Sequence, residues 1–102
     1  MTQSSSEIAI IIEFEVAAEN SAFFLERLKE NSAATLNDDG CLRMEISQSA
    51  SGDGRIFWLS ERWQDAASIE KHRQQPGHEK QHERIDELVV NKRVMRGPVI
   101  FG

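Results

Sequence analysis

Few side chains in this sequence combine a reactive type with an informative spacing. The three histidines are His72, His78 and His82, and Trp63 precedes the first of them by nine residues. An imidazole with an ordinary pKa of about 6.5 can accept or donate a proton at neutral pH. An indole can form the wall of an apolar cavity and donate its N–H. These residues indicate an acid–base site beside an aromatic surface. The competing interpretation is a core Trp with a buried His satisfied by the backbone or by Glu61.

Two of the histidines also match the zinc protease pattern H-E-x-x-H, as His78-Glu79-Lys80-Gln81-His82. That spacing places both imidazoles on one face of a helix. A catalytic zinc needs a third protein ligand and an open position, but no His or Glu follows Glu87, and metzincin glycines are missing. We therefore predict no metal, no cofactor and at most adventitious metal binding.

Glu61 is the remaining acidic candidate, because it falls on the same strand face as Trp63. A carboxylate there could orient His72, or it could form an ion pair with Arg43 or Arg62. We favour the ion pair.

Composition limits the kind of protein. A chain of 102 residues has room for one domain, which we place at residues 7–102 after a polar, disordered tail at 1–6. The net charge of −5 argues against nucleic acid as a partner, and we interpret Lys92, Arg93 and Arg96 as solvated charge. The apolar run Ile8–Ile12 is too short to span a membrane. A single cysteine, Cys41, is expected to be a small core residue in a reducing cytoplasm.

The elements that must position these side chains follow from periodicity and turn residues. Strands alternate apolar and polar residues, helices repeat every three to four, and Asp53-Gly54 favours a tight hairpin turn. The predicted elements are strand Ile8–Val16, a helix from Asn20 or Ser21 to about Asn37, strands Cys41–Ser49 and Arg55–Trp63, helical segments Asp65–Gln74 and His78–Val89, and strand Val94–Phe101.

This order predicts an α+β fold of the ferredoxin-like βαββαβ type, an antiparallel sheet with helices on one face. The apolar stripe of the first helix is Phe24, Leu25, Leu28 and Leu36, and Leu42, Met44 and Ile46 share one side of the second strand. His72 lies one helical spacing beyond Ile69 and is expected to face inward.

The sheet itself argues for a homodimer. The third strand is apolar on both sides, with Trp63 on one and Ile56 and Trp58 on the other, and Ile11 adds to the second face. Helices can cover only one face, and a soluble monomer rarely exposes such a patch. We therefore expect two copies packed sheet to sheet.

Three segments carry a family resemblance: Asp39-Gly40-Cys41-Leu42, Leu59-Ser60-Glu61-Arg62-Trp63, and Ala66 to His72. Together they resemble the antibiotic biosynthesis monooxygenase family, of the dimeric α+β barrel superfamily. The resemblance implies a shared barrel of two protomers, each with an apolar cavity between its sheet and helices. It also implies an enzyme that oxidises an electron-rich phenol or quinol with O2 and without a cofactor.

The resemblance implies catalytic roles for His72 and Trp63, and we add His82, which shares a helical stripe with Ile85. The expected substrate-binding residues are Phe24, Leu28, Leu59, Glu61 and Ile69. The alternatives are a non-catalytic domain that binds a small aromatic molecule, and a haem-binding or haem-degrading protein with His82 as axial ligand. Haem-degrading members carry an Asn in the first strand, whereas Ile8–Val16 has none.

Overall fold

The elements of the fold follow the predicted order closely. The computed structural model describes residues 7–51 and 53–102, so the predicted tail at 1–6 lies outside the described residues. The strands are β1 (Ile8–Val16), β2 (Cys41–Gln48), β3 (Ile56–Trp63) and β4 (Val89–Pro98). The helices are α1 (Ser21–Thr35), α2 (Ala66–Arg73) and α3 (His78–Asp86), with a short 3₁₀ turn at Ala18–Asn20.

The four strands form one antiparallel sheet in the order β2-β3-β1-β4. Ile12 at the centre of β1 is opposite Leu59 of β3 on one side and Val94 of β4 on the other. This strand order is the ferredoxin-like α+β fold that the sequence predicts.

One face of the sheet packs against the helices, and its residues come from alternate positions. Ile10, Ile12, Phe14 and Val16 are buried, while Ile11 between them is 41% exposed. The core is completed by Phe24 and Leu28 of α1, Phe57, Leu59 and Trp63 of β3, Ile69 of α2 and Ile85 of α3. Because each fully buried large side chain contributes about 1.5–3 kcal/mol, the period-two pattern of β1 decides which face meets the helices.

The second strand departs from its predicted alternation at one residue. Its pairing with β3 shifts between Cys41 and Arg43, so Leu42 is an extra residue. A bulge of this kind redirects side chains, and Leu42 is 49% exposed, whereas Met44 and Ile46 pack against the core. The prediction that all three share one side was therefore wrong for Leu42.

The predicted ends of the first and third helices and both bounds of the last strand were also wrong. The first helix ends at Thr35, which leaves Leu36 about half exposed. The last strand begins at Val89 and ends at Pro98, so Val89 belongs to the strand and Phe101 lies beyond it. Pro98 is at the end of an edge strand, where a missing N–H costs little pairing.

The turns behave as their residues predict. Asp53 and Gly54 both adopt positive φ, at 55° and 75°, between β2 and β3. Asp65 caps α2 by accepting a hydrogen bond of 2.8 Å from the Ser68 backbone N–H. Within the described ranges, no helix is long and apolar enough to cross a lipid bilayer.

Candidate functional site

A cavity of about 260 Å³ lies between the sheet and the helices. The sheet contributes apolar side chains from β1 and β3 together with charged side chains from β3 and β4. Helices α2 and α3 contribute the histidines and further charged groups, with one isoleucine each. Its principal lining residues are Ile10, Ile12, Phe14, Leu28, Leu59, Glu61, Trp63, Ile69, His72, Arg73, His78, His82, Ile85, Asp86, Lys92 and Arg96. This wall is apolar at its base and carries both signs of charge.

Trp63 ends β3 and is 1% exposed. Its indole N–H donates a 2.8 Å hydrogen bond to Glu61 Oε1. The ring therefore forms a rigid part of the wall, and its donor is already satisfied within the protein.

Glu61 does not form the ion pair that we favoured from the sequence. Arg43 bonds to Glu45, and Arg62 bonds to Glu7 at 2.5 Å. Both arginines lie on the opposite face of the sheet from Glu61, because the strand alternates. Burial raises the pKa of the Glu61 carboxyl, and the hydrogen bond from Trp63 opposes this rise.

His72 is held by a carboxylate from another part of the chain. Its Nδ1 is hydrogen-bonded to Asp38 Oδ2, and both side chains are 15% exposed. Asp38 is held in turn by Gln75, whose Nε2 donates to Oδ1 at 3.0 Å. Since a carboxylate accepts, Nδ1 carries the proton, and Nε2 is the nitrogen available to a ligand. His72 faces inward as predicted, but its partner is Asp38 and not the backbone or Glu61.

The three histidines continue from Trp63 as a row of rings. Ring centroids are 5.2 Å apart from Trp63 to His72, 4.7 Å from His72 to His78 and 4.1 Å from His78 to His82. Burial lowers the pKa of His78, and burial together with His78 and Lys92 lowers the pKa of His82 to about 4. Both imidazoles are therefore uncharged at neutral pH. Sequence reasoning left His78 out of the site, although its i, i+4 spacing from His82 was the available signal.

Basic side chains also reach the cavity: Lys92 and Arg96 line it, and both residues remain exposed, as expected of solvated charge. In the β1–β4 register Lys92 is opposite Phe14 and Arg96 is opposite Ile10, so both share the core face. Lys92 Nζ bonds to Asp86 Oδ1 at 3.1 Å and lies 5.9 Å from the Phe14 ring centroid. Arg93 follows Lys92 directly in the strand, so it lies on the opposite face of the sheet, away from the cavity.

The predicted site residues come together with one exception. His72, Trp63, His82, Leu28, Leu59, Glu61 and Ile69 all line the cavity. Phe24 is not among its lining residues: it is fully buried, and its ring packs 5.2 Å from Phe14 and 5.5 Å from Phe57. Phe24 therefore lies behind the residues that line the cavity, because its position on α1 faces the sheet.

Cys41 has the character expected of a structural thiol. It packs against the core while partly exposed. Burial, followed by the nearby acidic groups Glu61 and Asp38, raises its pKa, while a backbone contact to Arg43 opposes the rise. A protonated thiol is a poor nucleophile.

Fold and cavity together define a ferredoxin-like α+β domain with an apolar pocket between sheet and helices. The family model of the antibiotic biosynthesis monooxygenases matches residues 7–84. The chain therefore belongs to the antibiotic biosynthesis monooxygenase family, as the sequence motifs predicted. Comparison with curated protein sequences finds no significant match.

Solved structures share the fold at low identity. A variant of SnoaB, a cofactor-independent oxygenase from Streptomyces nogalater, is 15% identical, with a TM-score of 0.86 over 96% of this chain and 97% of that one. PA3566 from Pseudomonas aeruginosa is 20% identical, with a TM-score of 0.83 over 98% and 100%. A candidate antibiotic biosynthesis monooxygenase from Deinococcus radiodurans is 22% identical, with a TM-score of 0.81 over 90% and 91%. These likenesses establish the fold.

Proposed function

We propose that this protein is a monooxygenase that oxidises an electron-rich phenol or naphthol with O2 in the cavity beside Trp63. The observation that carries the proposal is the Asp38–His72 pair, which leaves an imidazole nitrogen free at an apolar wall. Membership of the monooxygenase family and the fold shared with SnoaB support it.

The size and charge of the cavity narrow the substrate class. Ligand pockets commonly have volumes of about 300–1,000 Å³, and this one is near 260 Å³. One or two fused rings suit that space better than three. Arg73 and Arg96 on its lining can stabilise a ligand that becomes anionic, while Lys92 is paired with Asp86.

His72 would act first as a general base. Its Nε2 accepts the phenolic proton while Asp38 keeps the ring oriented, and the nearby positive charge of Arg73 stabilises the phenolate. The apolar wall excludes water from the anion.

The phenolate supplies the electrons for the reaction. It passes one electron to O2, and the resulting ring radical and superoxide join to form a carbon–oxygen bond. His72 returns its proton to the peroxide, and loss of the ring C–H proton with cleavage of the O–O bond releases water. One oxygen atom enters the product as a carbonyl, and the other leaves in water.

Oxygen uptake with a panel of hydroquinones and naphthols tests the proposal. We expect His72→Ala to lower the rate by about 10²–10⁴-fold, the usual contribution of general acid–base catalysis. The matched control is Lys71→Ala, because Lys71 is the preceding helical residue and pairs only loosely with Asp39 at the surface.

A folded wild-type protein that consumes no O2 with any of these compounds would overturn the oxygenase proposal. Thermal stabilisation by the same compounds would then favour the binding-domain alternative. A haem Soret band lost in His82→Ala would favour haem binding.

We further propose that the protein works as a homodimer through the sheet face that the helices leave bare. Ile11, Trp58 and Met95 are 41%, 37% and 40% exposed on that face. They belong to three adjacent strands: Ile11 is opposite Met95 of β4 and diagonal to Trp58 of β3. The three side chains form an apolar patch with polar neighbours, since the Trp58 indole N–H donates to Glu13. A second copy would cover the patch in the isologous manner that a two-fold axis requires.

A further inference from the structure

All three imidazoles of the chain meet at one point of the cavity. One ring nitrogen of each lies within 4.8 Å of those of the other two. His72 comes from α2, and His78 and His82 occupy successive turns of α3. The H-E-x-x-H spacing supplies two possible ligand nitrogens, from His78 and His82, and the sequence after them contains no third histidine. The third is His72, which precedes them and is brought near by the turn at Gly77, whose φ is 87°.

The distances are close to those of a metal centre. Zn–N bonds of about 2.0–2.1 Å in a tetrahedral arrangement separate the ligand nitrogens by roughly 3.3 Å. The rings must therefore approach by about 1.5 Å at most, relative to the observed 4.8 Å limit. Side-chain rotation of His78 and His82 toward His72 is the movement that would close this gap, since both are partly exposed and His72 is held by Asp38.

The surroundings of His72 add an independent argument. Histidines that bind metals commonly donate their other ring N–H to a carboxylate, which sets the tautomer and the ring orientation. Asp38 occupies that position on Nδ1 of His72, and Gln75 holds the carboxylate from its other oxygen. Because Nδ1 of His72 is bonded to Asp38, Nε2 is the nitrogen that remains for a metal.

Charge around the cluster is balanced. Arg73, Lys92 and Arg96 line the cavity, and so do the carboxyl groups of Glu61 and Asp86. Asp38 adds a third carboxyl group at His72. The three carboxyl groups offset the three basic groups, so a divalent cation would not be repelled by a net positive charge.

We propose that His72, His78 and His82 bind a divalent first-row transition metal such as Zn²⁺, with one coordination position open toward the cavity. Three neutral nitrogen ligands suit zinc, cobalt, nickel and copper better than calcium or magnesium. The inference goes beyond the proposed oxygenase function. A bound metal would occupy the His72 nitrogen that the oxygenase proposal uses as a base, so the metal-bound form would not carry out that proton transfer. The metal is tested by binding and the oxygenase by O2 uptake in metal-free protein, so the failure of one is distinguishable from the failure of the other.

The test uses tag-free protein treated with EDTA, with Co²⁺ as the spectroscopic probe and Zn²⁺ as competitor. We expect visible d–d absorption that saturates at one Co²⁺ per chain and is displaced by Zn²⁺. His78→Ala and His82→Ala should each lower the affinity at least 100-fold. Asp38→Asn should lower it by about 10–100-fold with the stoichiometry unchanged, as for other residues that orient a ligand.

Two control variants should bind like the wild type. Gln81→Ala alters an exposed residue of α3 between the two histidines, and Cys41→Ser removes the only thiol. Retention of the Co²⁺ spectrum in a His78→Ala/His82→Ala double variant, or its loss in Cys41→Ser, would overturn the proposal.

A second measurement needs no variant. Zn²⁺ at saturation should protect the three histidines of the wild-type protein from acylation by diethylpyrocarbonate, read by mass spectrometry. Equal modification with and without Zn²⁺ would also overturn the site.

Discussion

The protonation of Glu61 depends on the groups that surround it in the folded protein. It faces the cavity, it accepts the indole N–H of Trp63, and burial raises its pKa. A carboxyl group whose pKa is higher in the folded than in the unfolded protein stabilises the fold at low pH. That stability is lost as pH rises from the unfolded value, 4.5, through the folded value.

Glu61→Gln should therefore be more stable than the wild type at pH 7 and equally stable at pH 4. The amide oxygen can still accept from Trp63, but it carries no charge to desolvate. Urea unfolding at both pH values measures the difference. A variant less stable than the wild type at pH 7 would show that the ionised carboxylate stabilises the site.

The Asp38–His72 pair belongs to both the proposed oxygenase site and the proposed metal site. The residues are 34 positions apart, and neither the loop after α1 nor α2 contains a local signal for the contact. The inward direction of His72 followed from its spacing with Ile69. The identity of its partner required the packing of α2 against that loop.

At the scale of elements, Gly40 decides how closely α2 approaches the start of β2. Its φ is 84°, and a Cβ built there would lie 2.0 Å from Ser68 Oγ and 2.4 Å from Ser68 Cβ. Ser68 cannot swing away freely, because its Oγ bonds to Asp65 at 2.8 Å.

Gly40→Ala should consequently lower the free energy of unfolding by about 2–4 kcal/mol, from the left-handed backbone and the overpacking together. Denaturant titration measures the loss. Gly97→Ala is the control, since a Cβ there meets nothing within 4 Å, and we expect a change within about 1 kcal/mol for it. Equal losses in both variants would mean that the contact with Ser68 is unimportant.

Strand β4 illustrates an element whose type was predicted but whose placement was not. A terminal strand was expected, yet its start at Val89 and its register with β1 bring Lys92 and Arg96 onto the cavity face. A shift of one residue would exchange the two faces. The sequence of a short, charged strand contains little that selects between those registers.

At the scale of the whole molecule, the proposed dimer covers the sheet face that has no helices on it. Ile11→Asp would place a charge at the centre of the proposed dimer interface, between Ser60 of β3 and Met95 of β4. We expect the dimer dissociation constant to rise at least about 30-fold, the equivalent of a 2 kcal/mol hot spot.

Sedimentation velocity over a range of concentrations measures this change. Phe23→Glu is the matched control, because Phe23 is 55% exposed on α1 and not on the sheet. A wild-type protein that sediments as a monomer at micromolar concentration would contradict the dimer proposal.

The sequence by itself determined the strand alternation of β1 and β3, the Asp53-Gly54 turn, the pairing of His78 with His82 on one helix, and the family. Each of these depends on residues within one element or one turn, where backbone geometry sets the spacing. Only the tertiary structure showed that Asp38 contacts His72 and that the imidazole of His72 lies beside those of His78 and His82. It also showed that a bulge exposes Leu42 and that Phe24 lies behind the residues lining the cavity. These contacts join distant segments, so they depend on register and packing, which the whole chain settles together.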